Sequence, residues 1–158
     1  MRDYLNITTN YIWADGKLLR EERSWSGPNH QLGDYLYANT TTIDYTYGVD
    51  GVVGFRLNGT PYWYLKNAQG DITHIYDNAK ECVAEYKYDA WGNHTVTNHT
   101  TANIGTLNAL RYRGYHFDVQ TNLYYLQSRY YDPEVGRFIS PDVIEILDGE
   151  IVHIKNAF

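Results

Sequence analysis

Apolar and polar residues alternate with a period of two along much of this chain, and Asp or Asn followed shortly by Gly interrupts the alternation. Tyr86 and Tyr88 fall on one face of an extended segment, with Glu85 and Lys87 on the other. The stretch from Asp89 to Gly92 then supplies a turn former and a residue that tolerates positive φ. After it, His94 and Val96 alternate with Thr95 and Thr97 on a returning strand. The same pattern predicts an arm at 62–65, a turn at 67–70 and an arm at 72–76. The sharpest signal lies at 143–154, where Asp148-Gly149 separates two alternating apolar arms, the arrangement favoured by two-residue hairpin turns.

These units repeat. Tyr followed by Asp or Asn and then Gly recurs at Tyr45-Thr46-Tyr47-Gly48-Val49-Asp50-Gly51, at 62–70 and at Tyr86-Lys87-Tyr88-Asp89-Ala90-Trp91-Gly92. Weaker copies sit at 11–16, at Tyr35-Leu36-Tyr37, at 115–118 and at 130–136. Their spacing is irregular, as expected of hairpins with unequal arms rather than a strict solenoid. Helix signals are sparse: Lys17-Leu18-Leu19-Arg20-Glu21-Glu22-Arg23 could form two turns, but the reading preferred here makes it the arm that follows the Asp15-Gly16 turn. Polar stretches at 26–34 and 98–105 read as loops. The predicted fold class is therefore all-β, with successive antiparallel hairpins in a curved, twisted sheet.

Composition narrows the function. The 158 residues carry a net charge of −6 with no basic cluster, which argues against nucleic acid as the main partner. No apolar run has the length of a membrane span, and residues 1–13 lack the pattern of a signal peptide. The single Cys82, flanked by Glu81 and Glu85, reads as a packed strand residue. Aromatic residues make up 16%, 17 of them Tyr, which favours pleated strands.

With those units laid out, residues 110–142 carry a dense signature: Arg111-Tyr112-Arg113-Gly114, Leu123-Tyr124-Tyr125-Leu126, Arg129-Tyr130-Tyr131-Asp132-Pro133, Gly136-Arg137-Phe138 and a closing Asp142. It resembles the repeat-associated core of the Rhs/YD-repeat family of bacterial polymorphic toxins, and residues 45–93 are similar to the YD repeats that lead into that core. The resemblance implies a division into YD-type hairpin repeats at 1–109, the core at 110–142 and a terminal hairpin at 143–158. It implies a large secreted or cell-wall-associated parent, used in bacterial competition, whose hairpins wind into a hollow shell around a C-terminal toxin. The implied partners are the rest of that shell, the toxin and an immunity protein; no cofactor or metal is implied. Residues 143–158 lack the family's Asn-Pro segment and second Asp-Pro-x-Gly motif, so this chain is expected to be a non-catalytic structural section of such a shell.

In several members of the family the core is also an aspartyl self-protease, which needs two carboxylates sharing a proton. Asp132 and Asp142 are the candidates, with Arg129 and Arg137 placed to fix their charge. The plainer reading makes 132–136 a turn and Asp142 a strand end, and it is preferred because the second motif is missing. Arg111 and Arg113 are expected to share one strand face, and at least one of the four arginines to pair with Asp118, Asp132 or Asp142. Of the six histidines, His94 and His99 are five apart without the further ligands a zinc site wants. Five Asn-x-Thr triplets read as turn Asn and strand Thr. The aromatic ladders admit one more function, a carbohydrate-binding surface, although cross-strand pairing explains every copy at once. The first strand is expected to expose an edge and promote self-association.

Overall fold

The period-two segments become strands in the computed structural model, which describes residues 6–26, 40–126 and 128–139. Eight of them, β1 (Asn6–Ala14), β2 (Lys17–Ser26), β3 (Thr40–Gly48), β4 (Gly51–Leu57), β5 (Thr60–Lys66), β6 (Ile72–Tyr76), β7 (Cys82–Tyr88) and β8 (His94–Asn98), pair antiparallel in chain order. A second, smaller sheet has the order β12-β11-β10-β9, from β9 (His116–Asp118), β10 (Leu123–Leu126), β11 (Arg129–Asp132) and β12 (Arg137–Ile139). Between the sheets runs an irregular strap, residues 102–115, which contains the short helix α1 (Ile104–Leu107) and a 3-10 turn at Tyr112–Gly114.

The all-β expectation holds, and the segment at 17–23 is a strand that pairs with β1 and β3. Two expectations are corrected. The loop expected at 98–105 begins with the last residue of β8 and ends inside α1. Arg111 and Arg113 share no strand face, because Arg113 turns left-handed (φ 51°) inside the 3-10 turn and sends the two side chains apart. The copy at 35–37 and the hairpin at 143–154 fall outside the described residues, as does the loop expected at 26–34 beyond Ser26.

Three consecutive hairpins use one turn. Asn67, Asp77 and Asp89 each accept two backbone N–H bonds on Oδ1, from the residues two and four positions on, at 2.8–3.0 Å. In each, the N–H of the first residue bonds the carbonyl of the fifth, and the N–H of the fourth bonds back to the carbonyl of the first. The fourth residue is left-handed: Gly70, Lys80 and Gly92, with φ of 89°, 68° and 93°. The recurring Asx followed by Gly is thus one device, a side chain that replaces the missing ladder acceptor plus a residue without a Cβ penalty. Asp118 and Asp132 begin related turns in the second sheet, each accepting the N–H two residues on.

Four of the seven strand pairs in the large sheet carry a register shift, at Ile12/Trp13, Thr46/Tyr47, Leu65/Lys66 and Ile75/Tyr76. Such bulges bend a strand and increase its twist, and the sheet curls. Strands β2 and β8 lie six spacings apart in the order, roughly 29 Å if the sheet were flat. Yet Arg23 on β2 donates to the carbonyl of Leu107 at 3.0 Å, and Asn98 on β8 donates to the hydroxyl of Thr106 at 2.9 Å. The sheet therefore wraps the strap while β1 and β8 stay unpaired with each other. Inside lie Leu18, Ile43, Phe55, Ile72, Ile75 and Tyr86 from the strands, and Ala102, Ile104 and Leu110 from the strap.

Replacing Lys80 by Gly should relieve its left-handed backbone and raise unfolding free energy by about 0.5 kcal/mol net of the glycine entropy cost. Gly92→Ala should cost about 2 kcal/mol or more, since a Cβ there would stand 2.8 Å from the Tyr112 ring at φ 93°. Urea unfolding of both variants checks the pair, and equal effects at the two positions would contradict the shared-turn account.

Candidate functional site

A strap that is mostly irregular and buried has main-chain groups with no ladder partner, and these must be satisfied from elsewhere. Polar side chains of the sheet do so. Asn108, fully buried, accepts from the Tyr64 hydroxyl at 2.5 Å and donates from its amide to the Tyr86 oxygen at 3.1 Å and the Leu110 carbonyl at 2.5 Å. Tyr86 donates to the carbonyl of Gly105 at 2.6 Å. Glu21, at 0% exposure, accepts both Nε and Nη2 of Arg23 (3.2 and 2.7 Å) and the Tyr45 hydroxyl at 2.6 Å, with His116 Nε2 3.8 Å away.

Arg111 is the centre of the strap. It is buried, donates from Nε to the carbonyl of Asn108 and from Nη2 to that of Thr106, and lies 4.6 Å above the Phe117 ring and 5.7 Å from that of Tyr86. Its Nη1 donates to His94 Nε2. Burial, with Arg111 as a second cause, pulls the His94 pKa down to about 4, so the ring is neutral and its proton sits on Nδ1. That proton is directed to the Tyr124 oxygen at 3.0 Å, and Tyr124 donates in turn to the carbonyl of Gly92. Burial raises the pKa of Tyr124, which keeps it a donor.

The signature residues converge on the last repeat turn, residues 89–93. Tyr112, Tyr131 and Tyr124 donate to the three successive carbonyls of Ala90, Trp91 and Gly92, at 3.3, 2.8 and 3.0 Å. Asn93 donates its amide to the carbonyl of Pro133 at 3.0 Å, and a Cβ on Gly136 would stand 3.0 Å from the Trp91 ring. The remaining members lie outward: Arg113 is exposed over the Tyr112 ring, Arg129 sits 4.3 Å above Phe138, and Arg137 pairs with Asp132 in register. Tyr130 packs against Tyr125, and Gly114 is left-handed at φ 71°.

Asp132 accepts the N–H groups of Glu134 and Val135 on Oδ1 and lines a cavity of about 380 Å³ with His94 and Glu134. Asp142 falls outside the described residues, so the expected carboxylate pair is represented by Asp132 alone. Among the described residues no ion pair joins Arg111, Arg113, Arg129 or Arg137 to Asp118 or Asp132. Arg111 instead finds carbonyls, a neutral imidazole and two rings. His94 and His99 diverge, His94 inward and His99 exposed, and no group of three metal-binding side chains occurs among the described residues. Sequence reasoning missed Glu21, Asn108 and Asp71, all buried. Only Glu21 carried a signal, since the neighbours at 20–23 are all charged and one of them had to face inward on a strand.

An open curled meander of hairpins, closed at one end by a second sheet clamped onto its last turn, defines a repeat-built β-shell section. The chain belongs to the Rhs/YD-shell family: residues 35–153 match the model described as the Teneurin YD-shell. It is 44% identical over 113 residues to the tRNA nuclease WapA of Bacillus subtilis (strain 168), covering 71% of this chain and 5% of that protein. It is 28% identical over 156 residues to the double-stranded DNA deaminase toxin A of Burkholderia cenocepacia (strain H111), covering 92% of this chain and 11% of that protein. A crystal structure of TcdB2-TccC3 shares the fold with a TM-score of 0.58 and 19% identity, covering 90% of this chain and 8% of that chain. The chain thus spans a small fraction of the relatives it matches, and its role within the family is structural.

Two outcomes follow from the strap. In the unfolded chain His94 titrates near 6.5 and in the folded one near 4, so its contribution is complete above 6.5 and is lost as pH falls toward 4. The loss should be about 1–2 kcal/mol after discounting for partial solvent access. Burial lowers the His116 pKa too and adds in the same direction. Urea midpoints between pH 7.5 and 4.5 should fall less in His94→Gln, which can still accept from Arg111. Arg111→Leu strands the buried Asn108 carbonyl and removes the donor to the Thr106 carbonyl and His94 Nε2, and calorimetry should show a loss of about 2–4 kcal/mol.

Proposed function

We propose that this chain is a non-catalytic section of a shell that encloses a C-terminal toxin, with hairpin repeats at 1–109 forming wall, a closing unit at 110–142, and 143–158 standing where a toxin-linking segment would follow. The observation that carries this reading is the asymmetry of the sheet's two ends. Among the described residues strand β1 has a bonded neighbour on one side only, so further hairpins can add in register. Beyond β8 the chain folds back as the strap and the second sheet, whose tyrosines grip the turn at 89–93. The names of the relatives, a tRNA nuclease and a DNA deaminase toxin, support a toxin as the enclosed cargo. The same kinship supports a secreted or surface-bound parent, and no helix among the described residues is long and apolar enough to cross a membrane.

Aspartyl self-cleavage is set aside because Asp132 is engaged in holding a turn. The carbohydrate reading loses its main support, since no described tyrosine is exposed: Tyr47, Tyr86 and Tyr88 donate to backbone carbonyls, and Tyr45 and Tyr64 to Glu21 and Asn108, which leaves Trp63, Trp91 and Phe138 as the exposed large aromatics among the described residues.

Two measurements test the proposal. In sedimentation velocity the chain should self-associate with rising concentration through the β1 edge. Backbone donors alternate between the paired and open sides of an edge strand. Of Thr8→Pro and Thr9→Pro, one should therefore abolish association without loss of stability, and a concentration-independent monomer would count against the open edge. A reporter fused after Phe158 should stay attached by intact mass; release that Asp132→Asn prevents would make the protein an enzyme.

A further inference from the structure

Antiparallel pairing in chain order puts the β1–β2, β3–β4, β5–β6 and β7–β8 turns at one end of the large sheet. Tyrosines of the strap and the second sheet cover the last of these, at 89–93. The other three stand around a cavity of about 640 Å³, whose remaining wall is the 3-10 turn of the strap and the adjoining ends of β10 and β11. Each of these four turns contributes a glycine to the lining, Gly16, Gly51, Gly70 and Gly114, so main chain rather than side chain meets the space there. Trp13, Leu110 and Leu126 give it an apolar side.

Four of the chain's 13 Lys and Arg line the cavity, Lys17, Lys66, Arg113 and Arg129, against one of its 19 Asp and Glu, Asp50, so the acidic balance of the chain is inverted here. His116 adds no charge at neutral pH, since burial lowers its pKa. Among the described residues none of the four cations has an ion-pair partner. Lys66 Nζ donates to the carbonyl of Asp50 at 3.0 Å, Lys17 lies 5.4 Å from the centre of the Tyr47 ring, and Arg113 and Arg129 lie 5.3 and 4.3 Å from those of Tyr112 and Phe138. A carbonyl or a ring face holds a cation in place without neutralising it. Like charges free in solvent gain by spreading apart, yet these four converge from β2, β5, the strap and β11.

The volume is that of a small-molecule site. Phosphate matches the charge: a monoester carries about −1.5 to −2 at pH 7, so two phosphates meet an excess that would take a separate carboxylate for each uncompensated cation. The planar fork of Arg takes phosphate oxygens in pairs, and Lys adds a mobile point charge. The apolar side calls for an organic body attached to the phosphates. We propose that this cavity binds a small organic polyphosphate, of the size of a nucleoside di- or triphosphate, and that the bound ligand bridges wall strands β2 and β5 to the strap and β11.

Titration of the ¹⁵N-labelled full chain with ATP, inorganic triphosphate and citrate in metal-free buffer, read from amide spectra, tests this. ATP is expected to saturate one site per chain, to shift the amides of Gly16, Gly51, Gly70 and Gly114, and to raise the melting temperature as its concentration rises. It should bind several-fold more tightly than inorganic triphosphate, which has no apolar part, and than citrate, whose charge is carried by carboxylates. The double variant Arg113→Gln, Arg129→Gln changes two exposed side chains; it should weaken ATP binding about tenfold or more while circular dichroism of the free chain stays unchanged. The double variant Arg56→Gln, Lys87→Gln removes the same charge from exposed positions outside the lining and should bind ATP as the parent chain does. Absence of saturable shifts at millimolar ATP, or equal weakening in the two double variants, would overturn the proposal. Inorganic triphosphate or citrate binding as tightly as ATP would overturn it as well.

Discussion

Much of the interior answers to one constraint: main-chain carbonyls of the strap, of the last repeat turn and near strand ends must be satisfied by side chains. An aliphatic interior could not do this. Tyrosine can, because it brings a ring to fill volume and a hydroxyl to reach an acceptor. Tyr47, Tyr86, Tyr88, Tyr112, Tyr124 and Tyr131 each donate to a backbone carbonyl, those of Leu18, Gly105, Ile72, Ala90, Gly92 and Trp91. Each such bond contributes on the order of 1 kcal/mol net, and leaving the carbonyl unpaired costs about 1–3 kcal/mol. Of these six carbonyls that of Gly105 lies in the strap, those of Leu18 and Ile72 near the starts of β2 and β6, and those of Ala90, Trp91 and Gly92 in the last repeat turn, so tyrosine serves strap, strands and turn alike.

The curl of the sheet follows from local geometry. Bulges in four strand pairs bend the meander, and the Asx turns at 67, 77 and 89 keep successive hairpins tight enough to maintain that bend. The second sheet uses the same kind of turn at 118 and 132, so repeats and closing unit share one construction. They differ in what their tyrosines do. In the repeats Tyr64 and Tyr86 reach the strap, while Tyr45 and Tyr47 bond to β2 and Tyr88 to β6; in the closing unit Tyr112, Tyr124 and Tyr131 hold the preceding turn.

The strands and turns were legible because their signals are local. Alternation at 85–88 and 94–97, with Asp89 and Gly92 between, determines a hairpin without reference to the rest of the chain. The turn at 77–81 was harder to see, since Lys80 takes the left-handed position that Gly occupies in its sisters. The site was less legible. Arg111 was read as a strand residue awaiting a carboxylate, whereas its partners are set by the strap's path back beneath β7 and β8, a long-range fact. Glu21 is buried against Arg23, Tyr45 and His116, which lie 2, 24 and 95 positions away, beyond the reach of any window of alternation. The ladders were recognised as structural, but their hydroxyls, pointing inward, were not foreseen.

The order of the small sheet has a mechanical meaning. Among the described residues strand β12 lies at its edge, is exposed along its length and is joined to β11 through three register pairs. A pull on the chain beyond Ile139 meets those pairs one after another, a peeling geometry, rather than all together in shear. Strand β11 holds the Tyr131 grip on Trp91 and yields only after β12 has left. Tension applied from the C-terminal side is therefore spent on a sacrificial strand, and the eight-stranded wall behind the clamp keeps its shape.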